Sequence, residues 1–320
     1  MKRYVFIILF IIVACTDISE IQEIIPSEIT ADPVVFFCPN DDCEKPIIDL
    51  INYAEKYVHC AFYDIDLPHL IKNLSAKSYS VDVKIIVDND NYGEITGPNV
   101  KQDTSRQYSH NKFCVIDDFI VATGSFNPTE RGNFYNNNNL VVFYSHYLAK
   151  NYENEFQELW NGTFGSGVEV KYPIIRLNNY TVENYFCPED ECAEHVIYEI
   201  NKANKSIYFM TFSFTHERIA DALLFKDKTI DIKGIFEKRQ ISSYSQFERL
   251  KGFGLEVKKD INPYNMHHKV FIIDNKTVIT GSFNPSKNAD ERNDENILII
   301  HNNKVAEEFL SEFRFLWNQQ

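Results

Sequence analysis

The chain has no apolar run long enough to cross a bilayer as a helix: the longest, residues 5–14, falls well short of the roughly 20 residues a hydrocarbon core requires. A basic surplus is missing too, since 32 Lys and Arg stand against 46 Asp and Glu, a formal net charge of −14. A protein that grips nucleic acid without reading sequence usually carries a basic field, so this balance argues against a general nucleic-acid binder while leaving room for a local basic patch. Gly and Pro are modest at 11 each, and no stretch is repetitive or of low complexity. Zinc-type spacing is absent as well: the C-x4-C pairs enclose acidic residues and have no His partner set nearby. What is left is the composition of a folded globular protein, 44% apolar and 24% charged. The length of 320 residues suits two ordinary domains, or one domain made of two fused halves.

At the N-terminus, Lys2 and Arg3 precede the apolar run in the layout of a secretory signal, and the run ends Ile12-Val13-Ala14-Cys15. This resembles the lipobox of prokaryotic lipoproteins. The resemblance implies an exported protein with a lipidated Cys15, held to a membrane surface on the extracytoplasmic side. Residues 1–15 would then be the signal and 16–31 an acidic tether; an ordinary signal peptide or uncleaved anchor is the competing reading. Cysteine usage agrees with export. FCPNDDC (Cys38, Cys43) and FCPEDEC (Cys187, Cys192) each close a small loop that a disulfide can staple in an oxidising compartment. Cys60 and Cys114 lie in apolar, strand-like runs and are expected as buried thiols.

An internal duplication dominates the rest. Residues 34–74 line up with 183–223 at an offset of 149, and HNKFCVIDDFIVATGSFNP (110–128) lines up with HHKVFIIDNKTVITGSFNP (267–285) at an offset of 157. The second half therefore carries a net insertion of eight residues between these blocks. Each half reads as helix (44–56; 191–204), strand (57–63; 206–212), helix (66–75; 216–226) and strand (81–88; 230–237). The motif strand (112–116; 269–273), a second strand (119–123; 276–280), a third (139–144; 296–301) and a closing helix follow. The expected fold class is α/β: two pseudo-twofold-related halves, 32–164 and 181–320, each a mixed sheet flanked by helices, joined by a linker over 165–180.

The chemistry sits in H-x-K-x-x-x-x-D, present in both halves. In an extended segment, residues two apart share a face, so His110 and Lys112 present imidazole and ammonium side by side, as do His267 and Lys269. Two such pairs supply four groups suited to one phosphate. The lysines neutralise its oxygens, one imidazole attacks phosphorus, and the other protonates the departing oxygen. A lone His–Lys pair is usually surface decoration. Here His110, Lys112, Asp117, Gly124, Ser125, Asn127 and Pro128 all recur as His267, Lys269, Asp274, Gly281, Ser282, Asn284 and Pro285.

The chain thus resembles the phospholipase D superfamily, whose signature is two H-x-K-x4-D motifs each followed by a GSxN turn. The resemblance covers about residues 34–318. It implies double displacement through a phosphohistidine with no metal cofactor, and phosphate binding by the lysines, Asn127 and Asn284, with Ser125 and Ser282 alongside. Asp117 and Asp274 belong to the motif as mainly structural members. The family usually places a carboxylate after the GSxN turn to orient each histidine. Glu295 fills that position 28 residues after His267, whereas Asn138 stands 28 residues after His110. In relatives the N-terminal histidine is usually the nucleophile, yet paired by that spacing His267 has the better-supported environment and is expected as the nucleophile here, with His110 as general acid. Asn139 and Asn296 also correspond and are expected at a strand edge. The motif does not name the substrate. The first expectation is a phospholipid, supported by the N-terminal anchor and the acidic charge, the second is nucleic acid cleaved by an exported nuclease, and the third is phosphate binding without catalysis.

Overall fold

The computed structural model describes residues 25–93, 95–97, 99–226 and 230–320. The expected signal, Cys15 and residues 16–24 of the tether lie outside the described residues.

Strands whose every side chain is apolar or buried form the centre of each half. KFCVI (Lys112–Ile116) and KVFII (Lys269–Ile273) are buried along their whole length, the pattern of a strand covered on both faces. The first-half sheet runs Val34–Cys38, Asn138–Tyr144, Ile120–Gly124, Lys112–Ile116, Tyr57–Phe62, Asp82–Val87, Val100–Gln102. The second-half sheet repeats this order as Tyr180–Cys187, Glu295–His301, Thr277–Gly281, Lys269–Ile273, Ser206–Thr211, Asp231–Phe236, Glu256–Lys259, with Ser27–Glu28 and Ile174–Leu177 added at one edge. The last three strands of each repeat pair in parallel and the rest antiparallel. Each half is therefore the mixed α/β unit that the alternating pattern implies.

One apolar core belongs to both halves. The closing helices His146–Trp160 and Asn303–Trp317 bury Phe156, Leu159, Phe309, Phe313 and Leu316 against residues of both sheets, including Val115, Val121, Val270 and Ile272. Two further cores cover the outer sheet faces. With the central layer shared, the halves behave as one unit, and the ends of the two motif strands are brought together.

Three sequence expectations change. The segment 165–180 is not a plain linker, because it contains the strand Ile174–Leu177 and the start of Tyr180–Cys187. Nor is 25–31 a loose tether: Ser27–Glu28 pairs in parallel with Ile174–Leu177, and the Pro26 and Glu28 carbonyls accept from the Arg176 and Asn178 N–H groups at 2.9 Å. The edge strand would otherwise leave those donors without ladder partners. The Glu28 carboxylate then accepts from the Ser145 hydroxyl and the His146 N–H, tying the segment to the first half.

The third change concerns Cys60 and Cys114, expected as thiols. They sit directly opposite each other on adjacent antiparallel strands and are disulfide-bonded, as are Cys38–Cys43 and Cys187–Cys192. Position along separate strands is visible in sequence, but register is not. The Cys60–Cys114 bond closes a far longer loop than the other two, so it constrains the unfolded chain most. Cys60→Ala/Cys114→Ala is expected to lose about 2–4 kcal/mol in urea unfolding. The corresponding loss for Cys38→Ala/Cys43→Ala is expected to be clearly smaller.

Candidate active site

Each signature histidine immediately precedes its motif strand and is fixed by the backbone of the other half. The His110 N–H donates to the Asp294 carbonyl (2.9 Å) and the His267 N–H to the Asn137 carbonyl (2.8 Å). Lys112 and Lys269 turn their ammonium groups towards the same point, each donating to the carbonyl of its own histidine, at 2.6 and 2.8 Å. Tyr63 and Phe212, which correspond across the repeat, stand edge-on to His110 and His267 (centroids 4.9 and 4.7 Å) and beneath the two ammonium groups (5.2 and 5.0 Å). These aromatic walls were not singled out in the sequence. Their recurrence directly after the first repeated strand is the signal that marks them.

The orienting groups are exchanged between halves. Glu295 Oε2 lies 2.7 Å from His110 Nδ1, while Asn138 Oδ1 lies 2.9 Å from His267 Nδ1, which also faces the Ser125 carbonyl at 3.1 Å. The expectation that Glu295 supports His267 and Asn138 supports His110 is therefore corrected. The strand Glu295–His301 follows His267 in sequence, yet the pseudo-twofold arrangement points its first side chain across the interface. Both Nδ1 atoms meet acceptors, so each carries its proton there and Nε2 is the nitrogen left to react.

Ser125 and Ser282 are fully buried, and their hydroxyls are spent on this scaffolding. Ser125 bonds Asn138 and accepts from the Asn139 N–H; Ser282 accepts from the Asn296 N–H. They support the orienting groups rather than present hydroxyls to a phosphate. Asn127 and Asn284 keep their amide oxygens buried without a partner, and Asn284 lines the cavity above the histidines, where its NH2 can donate to a phosphate oxygen. Gly124 and Gly281 open these turns at φ +147° and +141°, and a β-carbon on either would run into the carbonyl of Asn139 or Asn296.

Asp117 and Asp274, counted with the motif, lie at the far end of the strand, about 16 Å from its start at 3.3 Å per residue. Asp117 accepts from the N–H groups of Glu55, Lys56 and Tyr57, and Asp274 from those of Asn204, Lys205 and Ser206. They anchor the neighbouring strand and touch nothing reactive.

A second polar layer lies behind the first. Asn296 Nδ2 donates to Asn111 (2.7 Å), whose amide donates to Glu155 (3.1 Å). On the other side Asn139 Nδ2 meets His268 Nδ1 (3.0 Å), and His268 Nε2 lies 3.5 Å from Glu312. The expected strand-edge role for Asn139 and Asn296 is thus replaced by bonds that cross between halves. Glu155 and Glu312 recur in EFQELW and EFRFLW, a polar repeat inside a core helix, which is the sequence signal that locates this layer.

Burial drives the charged groups here towards neutrality. It pushes Glu295 up to about 8 and Lys112 down to about 7, and takes Lys269 well below the usual lysine range. Both histidines lie well below the ordinary imidazole value, through burial first and the nearby ammonium groups second. A bound phosphodiester anion supplies the counter-charge that opposes all of these cationic shifts. The histidines lie at the foot of an open cavity of about 720 Å³ lined by Tyr63, Tyr108, Phe212, Arg106 and the amides of Gln107, Gln240, Asn284, Asn288 and Asn293, among others.

A family model described as "Cardiolipin synthase, PLD-like domain" matches residues 47–160 and 196–317. The chain is 32% identical over 144 residues to a phospholipase D of Rickettsia prowazekii, covering 44% of this chain and 70% of that protein. It is 40% identical over 75 residues to human mitochondrial cardiolipin hydrolase, covering 23% of this chain and 30% of the human protein. Among solved structures, phosphatidylserine synthase of Haemophilus influenzae superposes over 89% of this chain and 85% of its own, with TM-score 0.66 at 14% identity, a likeness of fold. Two matched segments that together take in both His–Lys pairs place the chain in the phospholipase D superfamily.

Proposed function

We propose that this protein is a phosphodiesterase that cleaves single-stranded nucleic acid through a phosphohistidine on His110. The observation that carries the substrate reading is the wall of the cavity. Among the described residues no aliphatic side chain lines it. Aromatic faces and side-chain amides do, the combination that stacks bases and bonds their edges. Arg106 gives this wall a cation beyond the two lysines, against the one carboxylate of Asp90.

With the anion bound, His267 takes up a second proton at Nε2; His110 Nε2 then attacks phosphorus, and the bond to the leaving oxygen breaks as His267 delivers that proton. Water then attacks phosphorus, giving its proton to His267 Nε2 as the phosphorus–nitrogen bond breaks and frees His110. Attack places positive charge on the His110 ring, where the Glu295 carboxylate offsets it. Asn138 offers His267 only a neutral oxygen, which leaves that imidazolium the readier proton donor. The sequence-based preference for His267 as nucleophile is therefore reversed.

The phospholipid reading has its own support. Phe134, Tyr135, Ile261 and Tyr264 are exposed, with Tyr135 and Tyr264 stacked at 4.4 Å, and aromatic side chains of this kind suit a membrane interface. The relatives named phospholipase D and cardiolipin hydrolase favour it too. Purified protein is to be assayed with chelator present on single-stranded DNA, on cardiolipin and phosphatidylcholine vesicles, and on a chromogenic diester. Turnover of DNA, lost in both His110→Ala and His267→Ala, is expected. Turnover of vesicles alone would transfer the reading to phospholipid, and turnover of nothing would leave phosphate binding without catalysis.

The lysines set the pH response. Lys112 holds an anion only while protonated, and its value in the free protein is about 7. Because kcat/KM reports the free enzyme and His267, whose value lies well below the ordinary imidazole value, must take up a proton as well, kcat/KM is expected to fall already below pH 7 and more steeply, towards a hundredfold per pH unit, above about 7. The kcat limb lies at higher pH, because the bound anion keeps Lys112 charged. Coincident limbs for kcat and kcat/KM would show that Lys112 does not titrate with substrate binding.

A further inference from the structure

The groove is one-sided. Beyond Phe212 and His267 it opens into a second cavity of about 760 Å³ that shares Ser213, Ser286 and Asn288 with the first. Its remaining wall comes from Thr215, Glu217, Ser243, Tyr244, Ser245, Gln246, Arg249 and Lys287. Residues 241–249 fall in the region where the second half is longer than the first by a net eight residues. Repeat positions that do correspond differ in charge. Where the second half places Ser213, Thr215 and Lys287, the first places Asp64, Asp66 and Glu130. The first-half flank thus sets carboxylates beside Arg106, while the other offers hydroxyl donors and two cations, Arg249 paired with Asp221 and Lys287 with Glu291, beside the carboxylate of Glu217.

We infer that this second-half cavity is a subsite for a further phosphate on the leaving-group side of the scissile bond, received by Arg249, Lys287 and the neighbouring serine hydroxyls. This rests on the nucleic-acid reading above. The direction follows from the chemistry: His110 attacks from the first half, so the leaving oxygen faces His267, and the strand attached to it continues past Phe212 into the cavity. Arg249 is held in place by Asp221 and by Gln246 (3.2 Å), which occupy only part of its donor set. Lys287 has a 3.5 Å pairing with Glu291 on an exposed helix face, a contact worth little in water and readily exchanged for a phosphate.

The test compares dithymidine monophosphate, which has one phosphodiester, with pentathymidylate, which has four phosphates in a row, on wild type and on Arg249→Gln/Lys287→Gln. Wild type is expected to show at least tenfold higher kcat/KM on pentathymidylate. The double variant is expected to lose most of that gain and to show a salt dependence shallower by one to two phosphate contacts, about 0.7 in log–log slope for each on a single strand. Ser213→Asp, which imports the charge of the first half without touching either cation, is expected to reduce the same gain. An undiminished gain in both variants overturns the subsite alone. A wild type inert on both oligonucleotides but active on a chromogenic diester overturns the nucleic-acid reading and the subsite with it.

Discussion

His267→Ala is expected to convert turnover into a single event when the leaving group needs no proton. With bis-p-nitrophenyl phosphate, p-nitrophenolate departs unaided, so His110 can still be phosphorylated. Water then lacks the base that activates it. The stopped-flow trace should show a burst of about one equivalent of nitrophenolate and then stall, with steady turnover reduced by roughly 10³-fold or more. Mass analysis of the quenched protein should find the p-nitrophenyl phosphoryl group on the peptide carrying His110. His110→Ala should show no burst and about 10⁴-fold or greater loss on every substrate. A burst in His110→Ala, with the adduct on His267, would exchange the two roles.

The exchange of orienting groups behind that proposal was not accessible from the sequence, and the reason is geometric. The repeat offset makes His110, Lys112, Asn127 and their counterparts stand out, because duplication of a core gives no reason to keep polar residues in both copies. The same offset pairs Glu295 with His267 by counting along one chain. In the folded protein the strands Asn138–Tyr144 and Glu295–His301 begin at the interface, each against the histidine of the opposite half. Spacing records distance along the chain, and the partner is chosen across an axis that the chain does not encode locally. The same limit explains Cys60 and Cys114, whose pairing depends on register between strands 54 residues apart. The motif strand bounds 112–116 and 269–273 were legible because those runs are uniformly apolar after the lysine. The short edge strands Val100–Gln102 and Glu256–Lys259 carry mixed polar sequences and gave no such signal.

Glu295→Gln is expected to lower kcat by about 10³- to 10⁴-fold, in the range found when a carboxylate that stabilises a catalytic imidazolium is made neutral. The amide keeps the size of the side chain and can still accept from His110 Nδ1, so the loss reads charge rather than packing. The stability response has its own sign. Glu295 is raised to about 8 in the folded protein from an ordinary carboxylate value, so across the interval between those values the folded state holds a proton that the unfolded state has released. Stability falls with rising pH over that interval, and the variant should lack this part of the slope. Asn138→Asp makes the complementary test. A carboxylate beside His267 raises its imidazolium pKa and makes it a poorer acid, so the variant should slow cleavage of a poor leaving group more than of p-nitrophenolate. If Glu295→Gln retained more than a tenth of wild-type kcat, the carboxylate would be only a packing element and the two halves of the site chemically alike.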